Sequence, residues 1–91
     1  MGQDQKSLLT SHQIRAARAL LRWSAEDLSR GSSVSLRTIR RAELAEMRTT
    51  LTTPNNLAIR QALEAAGVEF IDENGGGAGV RLRKPRRQKS I

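Results

Sequence analysis

Leu36, Arg37 and Arg41 are the residues whose types and spacing carry the most chemistry in this sequence. They stand in the segment Leu36-Arg37-Thr38-Ile39-Arg40-Arg41-Ala42. On a helix of 3.6 residues per turn Ile39 and Ala42 fall on one side, and Leu36, Arg37, Arg40 and Arg41 fan across the other. Arg37 and Arg41 are four apart, so they point the same way. A guanidinium donates from a planar fork that fits the O6 and N7 edge of guanine, so this pair is suited to reading base edges in a major groove. Leu36 is an apolar residue on an outward face, and the 5-methyl group of thymine is an apolar partner for it. Thr38 and Arg40, at the margins, suit phosphate oxygens. The opposing reading is a solvated basic helix with one stray leucine.

Other chemistry is thin. His12 is the only histidine, so a His-based metal site or a His-dependent catalytic pair has no second member. There are no cysteines, which excludes disulfides and thiolate metal sites. Gly75-Gly76-Gly77 lacks the Gly-Lys-Ser/Thr of a phosphate loop, and no helix is predicted after it. Glu69, Asp72 and Glu73 cluster near a turn without a partner for general acid–base work. The expectation is a protein that is not an enzyme and uses no metal or cofactor.

The charge distribution points to a polyanion. The net charge is +7, from 16 Lys and Arg against 9 Asp and Glu. Residues 81–91 hold Arg81, Arg83, Lys84, Arg86, Arg87 and Lys89 and no acid. Residues 10–41 carry seven Arg against Glu26 and Asp27, a net of +5, whereas 42–80 carry Arg48 and Arg60 against six acids, a net of −4. A basic first half beside an acidic second half fits one face made for nucleic acid; the alternative is a salt-bridged surface of mixed sign. No apolar run approaches the roughly 20 residues that span a bilayer, and Met1 to Ser11 has no signal-peptide core. No membrane association and a cytoplasmic location are therefore expected.

The elements that must position these residues follow from caps and periodicity. Residues 1–9 read as a mobile arm. Thr10 or Ser11 caps a first helix running to about Arg22, with Ile14, Ala17, Leu20 and Leu21 in one apolar arc and Arg15, Arg18 and Arg22 together on another face. That arginine stripe reads either as a solvated face or as further phosphate contacts. Trp23 belongs to the core. Ser24 opens a short second helix with Ser24-Ala25-Glu26-Asp27 as a capping box, Leu28 inward, and Gly31-Ser32-Ser33 as its breaker. Ser35 caps a third helix from Leu36 to about Glu46. After a loop over 47–53, Thr53 caps a fourth helix with Pro54 first. Ile59, Ala62, Leu63 and Ala66 form its apolar face, Arg60 and Glu64 pair on the opposite side, and Gly67 ends it. Leu57 does not fit that stripe. Val68–Asp72 and Gly79–Arg83 alternate with period two around a Gly-rich turn and predict a β-hairpin. The tail from Lys84 reads as disordered.

Residues 13–66 resemble the Xre/Cro family of phage-repressor-type regulators, and most of all a compact bacterial subgroup ending in a Gly-Val-Glu-Phe-Ile segment and a Gly-rich turn. The residues that carry the resemblance are Trp23-Ser24, Glu26-Asp27-Leu28, Val34-Ser35, Ile39, Glu43, Leu57, Ile59, Ala62-Leu63 and Ala66-Gly67-Val68-Glu69-Phe70. The family usually has Gln where this chain has Ala25, and that Gln commonly helps hold a phosphate. It usually has Ala at Ser29, Gly at Ser33 and often Gly at Met47. Ser33 would then occupy a position that often needs φ > 0. The resemblance implies that Leu36, Arg37 and Arg41 face bases and that Thr38 and Arg40 face the backbone. It implies phosphate contacts at the start of the second helix and in the loop after the third, where Ser24, Arg48, Thr49 and Thr50 stand.

The fold expected is mainly α: an arm (1–9), a four-helix Xre/Cro-type helix-turn-helix domain (10–67), a C-terminal β-hairpin (68–83) and a basic tail (84–91). The function expected is sequence-specific binding to double-stranded DNA as a homodimer, with the helix Leu36–Glu46 in the major groove. The family resemblance implies repression of transcription, in a phage or mobile-element setting. Val68, Phe70, Ile71, Val80 and Leu82 of the hairpin are the candidate dimer interface, because strand edges are ready to pair; the alternative surface is the outer side of the fourth helix. Two alternatives belong to other classes: a protein-interaction module that binds another regulatory protein, and an architectural or excision accessory factor that bends DNA.

Overall fold

The computed structural model describes residues 8–46 and 48–83. The basic tail, Met47 and residues 1–7 of the arm lie outside the described residues. Four helices, α1 (Ser11–Leu21), α2 (Ala25–Ser32), α3 (Leu36–Leu44) and α4 (Thr53–Ala65), are followed by an antiparallel hairpin of β1 (Val68–Ile71) and β2 (Gly79–Leu82). The mainly helical fold with a two-stranded hairpin is as the sequence predicts.

Each helix begins where a hydroxyl can take an otherwise orphaned backbone N–H. Thr10 caps α1 in a capping box with Gln13, and Ser24 caps α2 in a box with Asp27. The hydrogen bond that the Ser24 backbone N–H donates, with the pull of Arg30 added, holds the Asp27 carboxyl below its ordinary value. Ser35 caps α3. The cap of α4 is Thr52, one residue before the position the sequence suggests; its hydroxyl accepts from the Asn55 N–H, and Thr53 is already helical.

Two helix ends also differ from expectation. α2 runs on through Gly31 and Ser32 and stops at Ser33, which adopts a left-handed conformation with φ of 64°. The turn to α3 is stitched from within: Ser29 Oγ donates to the Val34 carbonyl at 2.7 Å, and the Val34 N–H donates to Ser32 Oγ at 3.1 Å. These bonds hold a non-glycine residue where the left-handed region costs roughly 1–2 kcal/mol. α3 ends at Leu44 and not near Glu46, because Ala45 is extended, with ψ of 151°.

The core is shared by all the helices and the hairpin. Ile14, Ala17, Leu28, Ile39, Ile59 and Leu63 meet in it, joined by Val34, Leu51 and Val68 from outside the helices. Trp23 packs against this cluster half-buried. Leu9, which the sequence assigns to the arm, is fully buried. Its N–H donates to Asn56 Oδ1 at 2.9 Å and its carbonyl accepts from Thr49 Oγ1 at 3.0 Å, so it is tied to α4 and to the loop before α4.

The hairpin is part of the same packing unit. Val68 pairs with Leu82 and Phe70 with Val80 in register, which puts these four on one face, while Glu69 pairs with Arg81 on the other. Gln13, only 3% exposed, anchors it. Its Oε1 accepts from the Thr10 N–H, and its Nε2 donates to the carbonyls of Gly79 at 3.1 Å and Ile71 at 3.4 Å. Arg60, expected on the exposed side of α4, is 6% exposed, with its guanidinium 4.9 Å from the Phe70 ring centroid and its ion pair to Glu64 retained. The hairpin folds over that side of α4, a long-range effect that helix periodicity does not encode.

Gln13→Leu keeps the side-chain volume but strands two strand carbonyls and the Thr10 N–H. It should lower stability by about 1–3 kcal/mol in urea unfolding. Amide exchange should accelerate first in residues 68–71 and 79–82.

Candidate nucleic-acid interface

α3 is short, and its sequence divides it cleanly. Ile39, Ala42 and Glu43 point inward and are buried; Arg37, Arg40, Arg41 and Leu44 are exposed; Leu36 and Thr38 are half-buried at the margin. The spacing of one apolar stripe thus sets the direction of the arginines.

The placement of α3 depends on an ion pair that periodicity hides. Arg18 on α1 grips Glu43 with two hydrogen bonds, Nε to Oε2 at 2.7 Å and Nη2 to Oε1 at 2.8 Å, and its Nη1 donates to the Trp23 carbonyl at 2.9 Å. The bonds to Glu43 hold the Arg18 guanidinium above its ordinary pKa, against the opposing effect of burial. Arg15 adds a bond from Nη1 to the Glu43 carbonyl at 3.2 Å. Two of the three arginines in the α1 stripe are therefore turned onto α3. Arg22, at the left-handed end of α1, is exposed.

The remaining basic residues sort in the same way. Arg40 pairs with Glu26 at 3.0 Å, Arg30 with Asp27 at 2.6 Å and Arg81 with Glu69 at 3.1 Å. Arg83 donates to the Glu64 carbonyl. Among the described residues, Arg22, Arg37, Arg41 and Arg48 have neither an ion pair nor a side-chain hydrogen bond. Two of these four are the base-facing candidates one helical turn apart on α3.

The hydroxyl candidates divide. Ser24 accepts from the Asp27 N–H and keeps its own O–H exposed, and Thr38 accepts from Ser35 Oγ in the same fashion. Thr38, Arg41 and Thr50 line one cleft of about 170 Å³ between α3 and the start of α4. Arg48 is exposed beside it in sequence, its backbone bridged to Thr10. Thr49 does not join them: it is buried, and its hydroxyl donates inward to Leu9, so it offers no side chain to a phosphate.

In the hairpin, Val68 is fully buried within the protomer and cannot serve a dimer interface. Phe70, Val80 and Leu82 are half-buried toward the core, and Ile71 is 36% exposed on the other face. A separate hollow of about 550 Å³ lies between α1 and the hairpin turn, with Leu8, His12, Arg48, Asp72, Glu73 and Ala78 on its wall. Among the described residues no three acidic, His or Cys side chains come together as a metal site requires. No helix among them is long and apolar enough to cross a membrane.

Sequence reasoning missed three residues that the geometry brings forward. Glu43 continues the stripe of Ile39 and Ala42, and an acid on an apolar face signals a buried ion pair. Gln13 lies beside Ile14 and Ala17 in the same sense. Leu44 follows Arg37, Arg40 and Arg41 by seven, four and three residues. No family model and no curated protein matches this chain.

The two ion pairs of α3 should differ in worth. Glu43→Gln, at a largely buried pair, should cost about 2 kcal/mol in urea unfolding. Glu26→Gln, whose pair with Arg40 is solvent-exposed, should cost less than about 1 kcal/mol. Equal costs would mean that the Arg18 pair does not hold α3.

Proposed function

We propose that this protein binds double-stranded DNA with sequence preference, inserting α3 in a major groove, and acts as a twofold homodimer that represses transcription, as the Xre/Cro resemblance implies. The observation that carries this reading is the division among the arginines. Those that build the fold are consumed by carboxylates or carbonyls, while Arg37 and Arg41 project from one exposed helix face with no internal partner. Two exposed guanidinium groups one turn apart on a single helix face are well formed for guanine edges. Arg48, Thr50, Thr38 and Ser24 supply phosphate contacts around it, and Arg40 supplies another by exchanging Glu26 for a phosphate. The short turn, Ser33 to Ser35, between α2 and α3 supports a helix-turn-helix reading.

Two measurements test the reading. Affinity followed by fluorescence anisotropy should fall steeply with salt, with a slope of about −0.9 per phosphate neutralised. A flat response would favour a protein partner. In selection from random duplexes, Arg37→Lys and Arg41→Lys should each relax one base pair per half-site by about 1–3 kcal/mol, with folding unchanged. Arg40→Ala should weaken all sequences alike. Footprinting separates a palindrome over a promoter from the array that an architectural factor would protect.

Dimerisation rests on the outward face of the hairpin, where Ile71 is the exposed apolar residue. Half-sites about 34–36 Å apart are expected. Ile71→Lys should shift the light-scattering mass toward the monomer and weaken binding to a two-half-site operator. An Ile71→Lys dimer of unchanged affinity would remove this face from the interface.

A further inference from the structure

The exposed face of α3 does not end at Arg41. Leu44, in the last turn, is 83% exposed, about twice the value for any other large apolar residue described. Single exposed leucines carry little meaning. This one stands in line with Arg37, Arg40 and Arg41, so that positions i, i+3, i+4 and i+7 form one stripe along the helix. Ala45 is extended, and the chain leaves the helix axis directly after Leu44. The stripe is cationic through its middle and apolar at its end, which is the complement of a groove lined by phosphates with base edges and thymine methyls on its floor.

We infer that Leu44 is a fourth reading position, that α3 lies along the groove over its whole length, and that Leu44 packs against the 5-methyl group of a thymine beyond the base pairs met by Arg37 and Arg41. The inference rests on the DNA-reading role proposed above and adds the orientation of the helix and the class of base at the outer position. The spacing is the one with which the third helix of a homeodomain reads along a major groove. From Arg37 to Leu44 the helix rises about 10 Å, at ~1.5 Å per residue. That matches three base-pair steps of about 3.4 Å each. A helix that entered by its first turn alone would leave Leu44 in water. Because the side chain touches little of its own protein, changing it should leave the fold intact.

The test joins selection from random duplexes to a cycle that removes the contact from each side. The parent should select a thymine outward of the base pairs that depend on Arg37 and Arg41. Leu44→Ala should lose about fourfold in preference at that position alone, the value of one buried methyl. Leu44→Met should keep most of it. Replacing that thymine by deoxyuridine should cost the parent about fourfold and cost Leu44→Ala nothing further. If Leu44→Ala selects the parental motif and uracil costs both proteins equally, the Leu44 contact is overturned while the reading by Arg37 and Arg41 stands. If the parent itself selects no motif, the DNA-reading role falls and this inference with it.

Discussion

The bidentate bond between Arg18 and Glu43 is the contact on which the exposed face of α3 depends. Apolar packing by Ile39 and Ala42 alone would leave a nine-residue helix free to roll, because two small contacts define a line and not an orientation. Glu43 adds a directional constraint one residue further round the helix. Its carboxylate is held at two points, and its own carbonyl is held by Arg15. Arg18 is fixed in turn by the Trp23 carbonyl at the α1–α2 corner. One guanidinium thus couples α1, that corner and α3. The rotation it sets is the one that turns Arg37, Arg41 and Leu44 outward.

The same logic explains why net charge overstates what is free to meet a partner. Residues 10–41 hold seven arginines, yet Arg15 and Arg18 face α3, and Arg30 and Arg40 face acids of α2. These acids are not decoration on a basic surface. Glu43 positions, Asp27 completes a cap, and Glu26 occupies the margin beside α3. Likewise Glu64 and Glu69 of the acidic stretch 42–80 hold Arg60 within it and Arg81 just beyond it. The contrast in charge between halves is therefore less sharp on the surface than in the sequence, and the available positive charge is concentrated on fewer side chains.

How far the sequence discloses this structure depends on the range of each interaction. Helix starts were legible because a cap acts within three residues: Thr10, Ser24 and Ser35 all cap as their spacing suggests, and the error at Thr52 arises where three of four consecutive residues, Thr50, Thr52 and Thr53, offer the same hydroxyl. The faces of the hairpin were legible because alternation sets Val68 and Phe70 apart from Glu69, and Val80 and Leu82 apart from Arg81; the register that pairs Val68 with Leu82 and Phe70 with Val80 needed the structure. Contacts between distant segments were not. Leu9 reads as arm because its partners, Asn56 and Thr49, are over forty residues away. Arg60 reads as exposed because Phe70, which covers it, belongs to another element. In the candidate site, the side of α3 that carries Arg37 and Arg41 was legible from the apolar positions Ile39 and Ala42, whereas the clamp on Glu43 that fixes it was not. The engagement of Arg15, Arg18 and Arg40, and the burial of Thr49, needed the fold.

Arg18 and Arg40 differ in what an anion at the surface could take from them. Both are arginines paired with a glutamate, and only exposure separates their roles. The Arg18 pair is largely shielded and makes a third bond to a carbonyl, so detaching it would strand Glu43 inside the protein at a cost of several kcal/mol. No phosphate at the surface could offset that. The Arg40 pair is more than half exposed on each side, and such a pair is worth at most about 1 kcal/mol. A phosphate would compete for Arg40 on nearly equal terms and leave Glu26 in water. The protein thus carries arginines of three kinds around one helix: fixed ones that aim it, unpaired ones that project from it, and one held loosely by an acid that a stronger anion can displace. A polyanion brought to this face would meet the last two kinds without disturbing the first.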